Sequence, residues 1–273
     1  MGPAQRHEAV VALQSKGLSK FRACAVVQQP YRSLFNAKKA ERKADVMLKE
    51  WITGLAHERP RFGWRRLLIL TPREIPGTGE HRFRRMYKAL NLQVRPRKKR
   101  KVTYVRGNPV PTVSRPNERW SIDFMHDSLV NGRTYRTMNV VDDFTCECLA
   151  VQPGFSFGTR DVMRCFEAIA FERGDLPETV RFDNGSEFTS RAMLQWGAEK
   201  NVALHFIQPG KPTQNAKIES FNGRVRDELL NAHCFRTIDE VRKLAEAWKN
   251  DYNEVRPHST LGGLTPLEFA NKF

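Results

Sequence analysis

The sequence predicts an α/β protein: a mixed five-stranded sheet with flanking helices, preceded by a basic helical arm. Three observations lead there. From residue 118 onward, strand-like runs come first and then alternate with helical periods. Before that point the apolar residues recur at helical spacing. Charge divides the chain in the same way. Residues 1–106 hold 26 Lys and Arg against 7 Asp and Glu, whereas the remainder holds 20 against 23. All of the excess in the net charge of +16 therefore sits on the arm, and nucleic acid is the polyanion such an arm would meet.

Residues 4–16 read as a helix, Lys16-Gly17-Leu18-Ser19 as a turn, and Ser19 as the N-cap of a second helix to about Val27. Residues 37–57 form a longer helix whose apolar set is Val46, Leu48, Trp51, Ile52 and Leu55. This outline fits a helix-turn-helix-like DNA-binding arm over 1–92. At 69–80, Pro72, Pro76, Gly77 and Gly79 interrupt the helical pattern. Residues 93–116 form an extended, Pro-containing linker. Six of its seven residues from Arg95 to Lys101 are basic, and Arg97, Lys98, Lys99, Arg100 and Lys101 are expected to track DNA phosphates.

The third region, 117–273, opens with strands at Arg119–Leu129, Thr134–Val141 and Cys146–Val151, the first two joined by a two-residue turn at Asn131-Gly132. Cys146 and Cys148 would both alternate onto a sheet face. Thr159–Arg173 is a helix with Val162, Cys165, Phe166, Ile169 and Ala170 on one side. A strand at Thr179–Asp183, a helix at Ser190–Lys200 and a short strand at Ala203–Phe206 follow. Helices at Thr213–Leu230 and Ile238–Tyr252 close the pattern. Three antiparallel strands followed by alternating helices and strands is the order of a ribonuclease-H-like fold.

The five cysteines form no Cys-x-x-Cys pair, and the histidines lack zinc-ligand spacing, so a zinc module or disulfide framework is not expected. No run approaches the length of a membrane span, and Met1–Glu8 lacks the apolar stretch of a signal peptide. A cytoplasmic, nucleoid-associated protein without a membrane partner is the expectation.

Three carboxylates stand out. Asp123 lies in the first strand and Asp183 ends the fourth, which should lie beside the first. Thirty-five residues separate Asp183 from Glu219, which lies in the penultimate helix. There Ile218, Phe221, Val225 and Leu229 form an apolar stripe, and Asn215, Glu219, Asn222 and Arg226 form a polar one beside it. The sheet would bury the first stripe, and the second would face the two aspartates. Carboxylates gathered in this way repel one another unless cations are shared, and two Mg2+ ions, or Mn2+ in their place, are expected. Asp127, Asp142 and Asp143 are nearby acids; the latter two read as closing the second strand, and Asp127 as peripheral. Glu187 would support Asp183.

The residues around these carboxylates resemble the integrase-type catalytic domain of bacterial insertion-sequence transposases. The resemblance lies in Arg115–Asp123, Asp183-Asn184-Gly185-Ser186-Glu187-Phe188, Gln208–Ala216, Ile218-Glu219-Ser220-Phe221-Asn222-Gly223, and Tyr252-Asn253 with Arg256-Pro257-His258 and Leu264-Thr265-Pro266. It points to the second-frame product of the IS-three group, whose transposase is encoded in two overlapping frames. It implies that Asp123, Asp183 and Glu219 are the catalytic and metal-holding residues of DNA strand cleavage and transfer. Arg226, Lys211, Asn215, Asn222 and Lys217 would contact DNA. The partners implied are DNA, both element ends and target, a first-frame subunit, and further copies of the chain. Phe182 and Lys217 depart from the family pattern without removing a metal ligand. The interruption at 69–80 keeps an alternative open: an inactive or truncated copy that acts only as a DNA-binding regulator. A ribonuclease-H-like nuclease would share the chemistry but not strand transfer.

Overall fold

A computed structural model describes residues 2–31, 43–71, 75, 78–94, 112–183, 185, 187–207 and 215–273. Contacts divide the chain into two units, residues 1–55 and 56–273. The division falls inside the expected arm rather than at its end.

In the first unit, α1 (Pro3–Ser15) and α2 (Lys20–Val26) pack through Val10, Ala23 and Cys24. Ser19 caps α2 as expected, its hydroxyl accepting from the Arg22 amide. Helix α3 runs Lys43–Glu58, so the expected start at residue 37 lies outside the described residues.

The second unit begins with α4 (Trp64–Leu70) and α5 (Glu80–Ala89), the two helices flanking the Pro/Gly interruption. The segment leading into α4 is tied to the remainder of this unit by charge. Arg59 makes two bonds to Asp251, at 2.8 and 2.6 Å. The Phe62 ring is buried among the guanidiniums of Arg59, Arg66 and Arg256.

The sheet has the order β3-β2-β1-β4-β5, with β1 (Arg119–Ser128), β2 (Thr134–Asp142) and β3 (Cys148–Gly154) antiparallel. β4 (Thr179–Phe182) and β5 (Ala203–Phe206) run parallel to β1. This is the mixed five-stranded sheet that the sequence leads one to expect. Two sequence expectations are corrected. The β1–β2 connection is a three-residue loop, 130–132, closed by a 2.9 Å bond from the Leu129 amide to the Arg133 carbonyl. Of Asn131 and Gly132 only Gly132 has positive φ, +82°, whereas a two-residue turn of the expected type needs it at both. Cys146 stands before β3 at φ +62°, in a turn, and only Cys148 enters the strand.

Strand alternation builds a core on each face. Trp120, Ile122, Met138 and Val140 pack with Val162, Cys165, Phe166 and Ile169 of α6 (Thr159–Arg173) and with Met193 and Trp196 of α7 (Arg191–Glu199). On the opposite face, Tyr135, Val141 and Val151 meet α8 (Ala216–Glu228) and α9 (Ile238–Glu254). The expected α8 stripe, Ile218, Phe221, Val225 and Leu229, is almost wholly buried, and each side chain contributes roughly 1.5–3 kcal/mol. A final short helix, α10 (Pro266–Ala270), starts from a Thr265–Glu268 capping box.

Candidate active site

Asp123 shares its face of β1 with Ser121, Met125 and Asp127, the face covered by α8. Asp183 immediately follows β4, the parallel neighbour of β1, and is exposed. Glu219 lies in the first turn of α8, also exposed. The charges of the other two reach Asp123. Burial, followed by the charges of Asp183 and Glu219, raises the Asp123 carboxyl from 3.8 to about 6. Two hydrogen bonds act the other way. The Phe124 amide donates to Oδ1 at 2.9 Å and the Asn222 Nδ2 to Oδ2 at 2.8 Å.

The donor set of the three is all oxygen, which suits a hard divalent cation. Space beside Asp183 is kept open by Gly185, whose amide donates to the Asp183 Oδ1 at 3.1 Å. A Cβ on Gly185 would stand 3.2 Å from that oxygen and 3.1 Å from the Glu187 Oε2. Among the described residues, no three His, Cys, Asp or Glu side chains converge closely enough to hold an ion as they stand.

The nearby acids have other occupations. Asp142 is fully buried and accepts from the amides of Asn117, Phe144 and Thr145. Asp143 accepts from Arg119 Nε at 2.6 Å and Ser121 Oγ at 2.8 Å. Glu187 takes Arg136 Nη1 at 2.6 Å, and that guanidinium lies over the Phe124 ring.

The residues expected to meet DNA separate into three groups. Arg97, Lys98, Lys99, Arg100, Lys101 and Lys211 lie outside the described residues. Arg226 and Lys217 are half-buried and engaged within the protein. Arg226 binds the Asp127 carboxylate at 3.0 Å and the His126 carbonyl at 2.6 Å, and Lys217 Nζ lies 3.1 Å from the Cys146 Sγ. Asn215 and Asn222 are buried at the sheet side of α8. Asn222 faces the sheet, as its place on the polar stripe implied, and its amide is used at both ends, by Asp123 and by Asn139. Asn139 carries no motif of its own; it stands opposite Asp123 because the hairpin register is centred on Asn131.

Comparison with known proteins follows the same geometry. The integrase core domain family matches residues 113–212 and, through a second profile of the same description, residues 200–266. An uncharacterized 31.7 kDa protein of insertion element IS407 from Burkholderia multivorans is 44% identical over 93% of this chain and 91% of its own length. The putative transposase InsK of insertion sequence element IS150 from Escherichia coli is 28% identical over 89% of this chain and 88% of its own. Among solved structures, a chain of the simian T-cell lymphotropic virus intasome complex with the PP2A regulatory subunit B56 gamma aligns with a TM-score of 0.53. It is 16% identical and covers 80% of this chain and 74% of that one, a likeness of fold.

Proposed function

The chain belongs to the integrase-core transposases of bacterial insertion elements, and on that premise we propose that it cuts and joins DNA through Asp123, Asp183 and Glu219. The observation that carries this reading is the state of Asp123, buried on β1 and within reach of the charges of Asp183 and Glu219. Asp123, on the central strand, is held at an unfavourable ionisation by burial and by the other two carboxylates. Such a cluster is costly for a protein to keep unless a cation uses it.

Asp123, Asp183 and Glu219 are the residues that would hold divalent magnesium, or manganese in its place. Bound there, the metal supplies Lewis-acid stabilisation to the attacking and leaving oxygens of a phosphodiester exchange. The protein's own part is placement. β1 and β4 are hydrogen-bonded neighbours, so two carboxylates rest on one rigid sheet. Helix α8 is anchored by its apolar stripe and brings the third. The Phe124 amide and Asn222 fix the plane of the Asp123 carboxylate. DNA 3′-hydroxyls and water are the nucleophiles this arrangement admits, and no covalent enzyme intermediate is needed. DNA ends and target DNA are the substrates, the basic segment 95–101 is a phosphate contact, and a first-frame subunit and further copies of the chain complete the assembly on DNA.

End-labelled DNA carrying the element's terminal repeats tests the proposal, with Mg2+ or Mn2+ and with the first-frame subunit present or absent. Metal-dependent nicking and joining, abolished by Asp183→Asn, is the expected result. DNA binding without cleavage under every condition would instead indicate a regulator that has lost its chemistry.

A further inference from the structure

Asn139 is fully buried in β2 and faces Asp123 across the β1–β2 pair. Its Nδ2 donates to the Asn222 Oδ1 at 2.7 Å, and the Asn222 Nδ2 donates to the Asp123 Oδ2 at 2.8 Å. The direction of this chain is forced from its far end. An ionised carboxylate can only accept, so Asn222 must turn its NH2 group to Asp123 and its carbonyl to Asn139. Asn139 must then offer its own NH2 group. Its remaining oxygen, Oδ1, is buried without a donor.

An unmet buried acceptor costs stability, on the order of 1–3 kcal/mol. Leucine, of nearly the same size, would remove this atom but leave the buried Asn222 Oδ1 without its donor, so the unmet acceptor would only move. Asn139 thus gives the fold little that an apolar residue would not, and its one hydrogen bond serves a residue that itself serves Asp123. Asn222 is also three positions beyond Glu219 on α8, so the same chain ties β2 to the helix turn that carries the third carboxylate.

Resting on the proposed function, we infer that Asn139 is a positioning residue for the metal site: acting through Asn222, it orients the Asp123 carboxylate and holds the α8 turn in register with β1. It touches neither substrate nor metal. Asn222 is the partner one bond removed from the ligand, and losing the orientation of such a partner commonly changes metal affinity by 10- to 100-fold.

The test uses the full chain with two near-isosteric variants. Asn139→Leu removes the amide but keeps the volume. Asn139→Asp keeps the shape and replaces the donor by an acceptor, so the Asn222 carbonyl faces a carboxylate. Mn2+ affinity is measured by calorimetry without DNA. Exchange of the Asn222 side-chain amide protons is measured by NMR without metal, and folding is checked by urea unfolding. The expected result is a tenfold or greater loss of Mn2+ affinity in both variants and faster Asn222 amide exchange. Urea stability of Asn139→Leu should stay near wild type, because one unmet buried acceptor is exchanged for another. A merely structural asparagine would not separate stability from affinity in this way. Mn2+ affinity within twofold of wild type in folded Asn139→Leu, or unchanged Asn222 exchange, would overturn the inference. If Asn139→Leu does not fold, Asn139→Asp decides by the same two criteria. Should the wild type bind no Mn2+ while the exchange still responds to Asn139→Leu, the strut stands and the metal reading of the site falls.

Discussion

Ionised Asp123 should weaken the metal-free protein, and its contribution can be isolated by subtraction. The carboxyl titrates at about 6 in the folded chain against 3.8 ordinarily, because of burial and then the neighbouring Asp183 and Glu219. Between those two values the folded state binds more protons than the unfolded state, so stability falls as pH rises through the window. The displacement corresponds to roughly 2–3 kcal/mol lost between pH 4 and 7. Urea unfolding of the wild type and of Asp123→Asn, in chelator, at pH 4, 5, 6 and 7 measures it. Other titrating groups are common to both proteins and cancel. The hydrogen bonds altered by the substitution add an offset that does not vary with pH. The gap should therefore move in favour of the variant by 2–3 kcal/mol across the range. Mg2+ at about 100 times its Kd should then stabilise the wild type by about 2.7 kcal/mol and leave the variant nearly unchanged. A gap that does not vary with pH would mean that Asp123 titrates as an ordinary surface aspartate. The coupling of the three carboxylates would then be refuted.

Three further outcomes are expected. His258 is buried beside Arg256 and Tyr252, and burial followed by the Arg256 charge pushes it down to about 2. As pH falls below 6.5 only the unfolded chain takes up this proton, so His258→Gln should shed a stability loss of about 1.4 kcal/mol per pH unit, read from urea midpoints between pH 4.5 and 6.5. Arg256, 2% exposed, holds Glu228 at 2.9 and 2.6 Å. Arg256→Ala leaves that carboxylate with only Arg66 at 3.9 Å, and a loss of about 3 kcal/mol is expected, where a loss under 1 kcal/mol would show the pair to be incidental. Gly185→Ala places a methyl against the Asp183 Oδ1 and the Glu187 Oε2 and should lower strand transfer at least about tenfold. The same methyl would stand 3.2 Å from the fully buried Phe188 ring, so the urea midpoint should fall somewhat as well; strand transfer lost only in proportion to folded protein would place Gly185 in folding rather than chemistry.

Much of this was legible along the chain. Helix α6 and the strand β5 fall at the residues read from the sequence, and the α8 stripe is buried as read, because local periodicity dictates which face an element can hide. The errors have local causes as well. The hairpin lengthened by one residue because Asn131 does not take positive φ, and Cys146 left its strand for a turn.

The site itself divides along the same line. The three carboxylates proposed for it were named from short words in the sequence, because residue types suited to metal-held chemistry are visible without a fold. Their partners could not be read in this way. Asn222 was taken for a DNA contact and proves to be a buried donor to Asp123, 99 residues away in sequence. Asn139 carried no signal in its own neighbourhood, since an asparagine in a strand is unremarkable until the strand opposite it is known. Arg226 became a partner of Asp127 for the same reason. Residue type and local period are properties of neighbours along the chain, whereas hydrogen-bond partnership depends on the register of β1 against β2 and on the rotation of α8 above them. That register and that rotation arise only when the two cores close on the sheet.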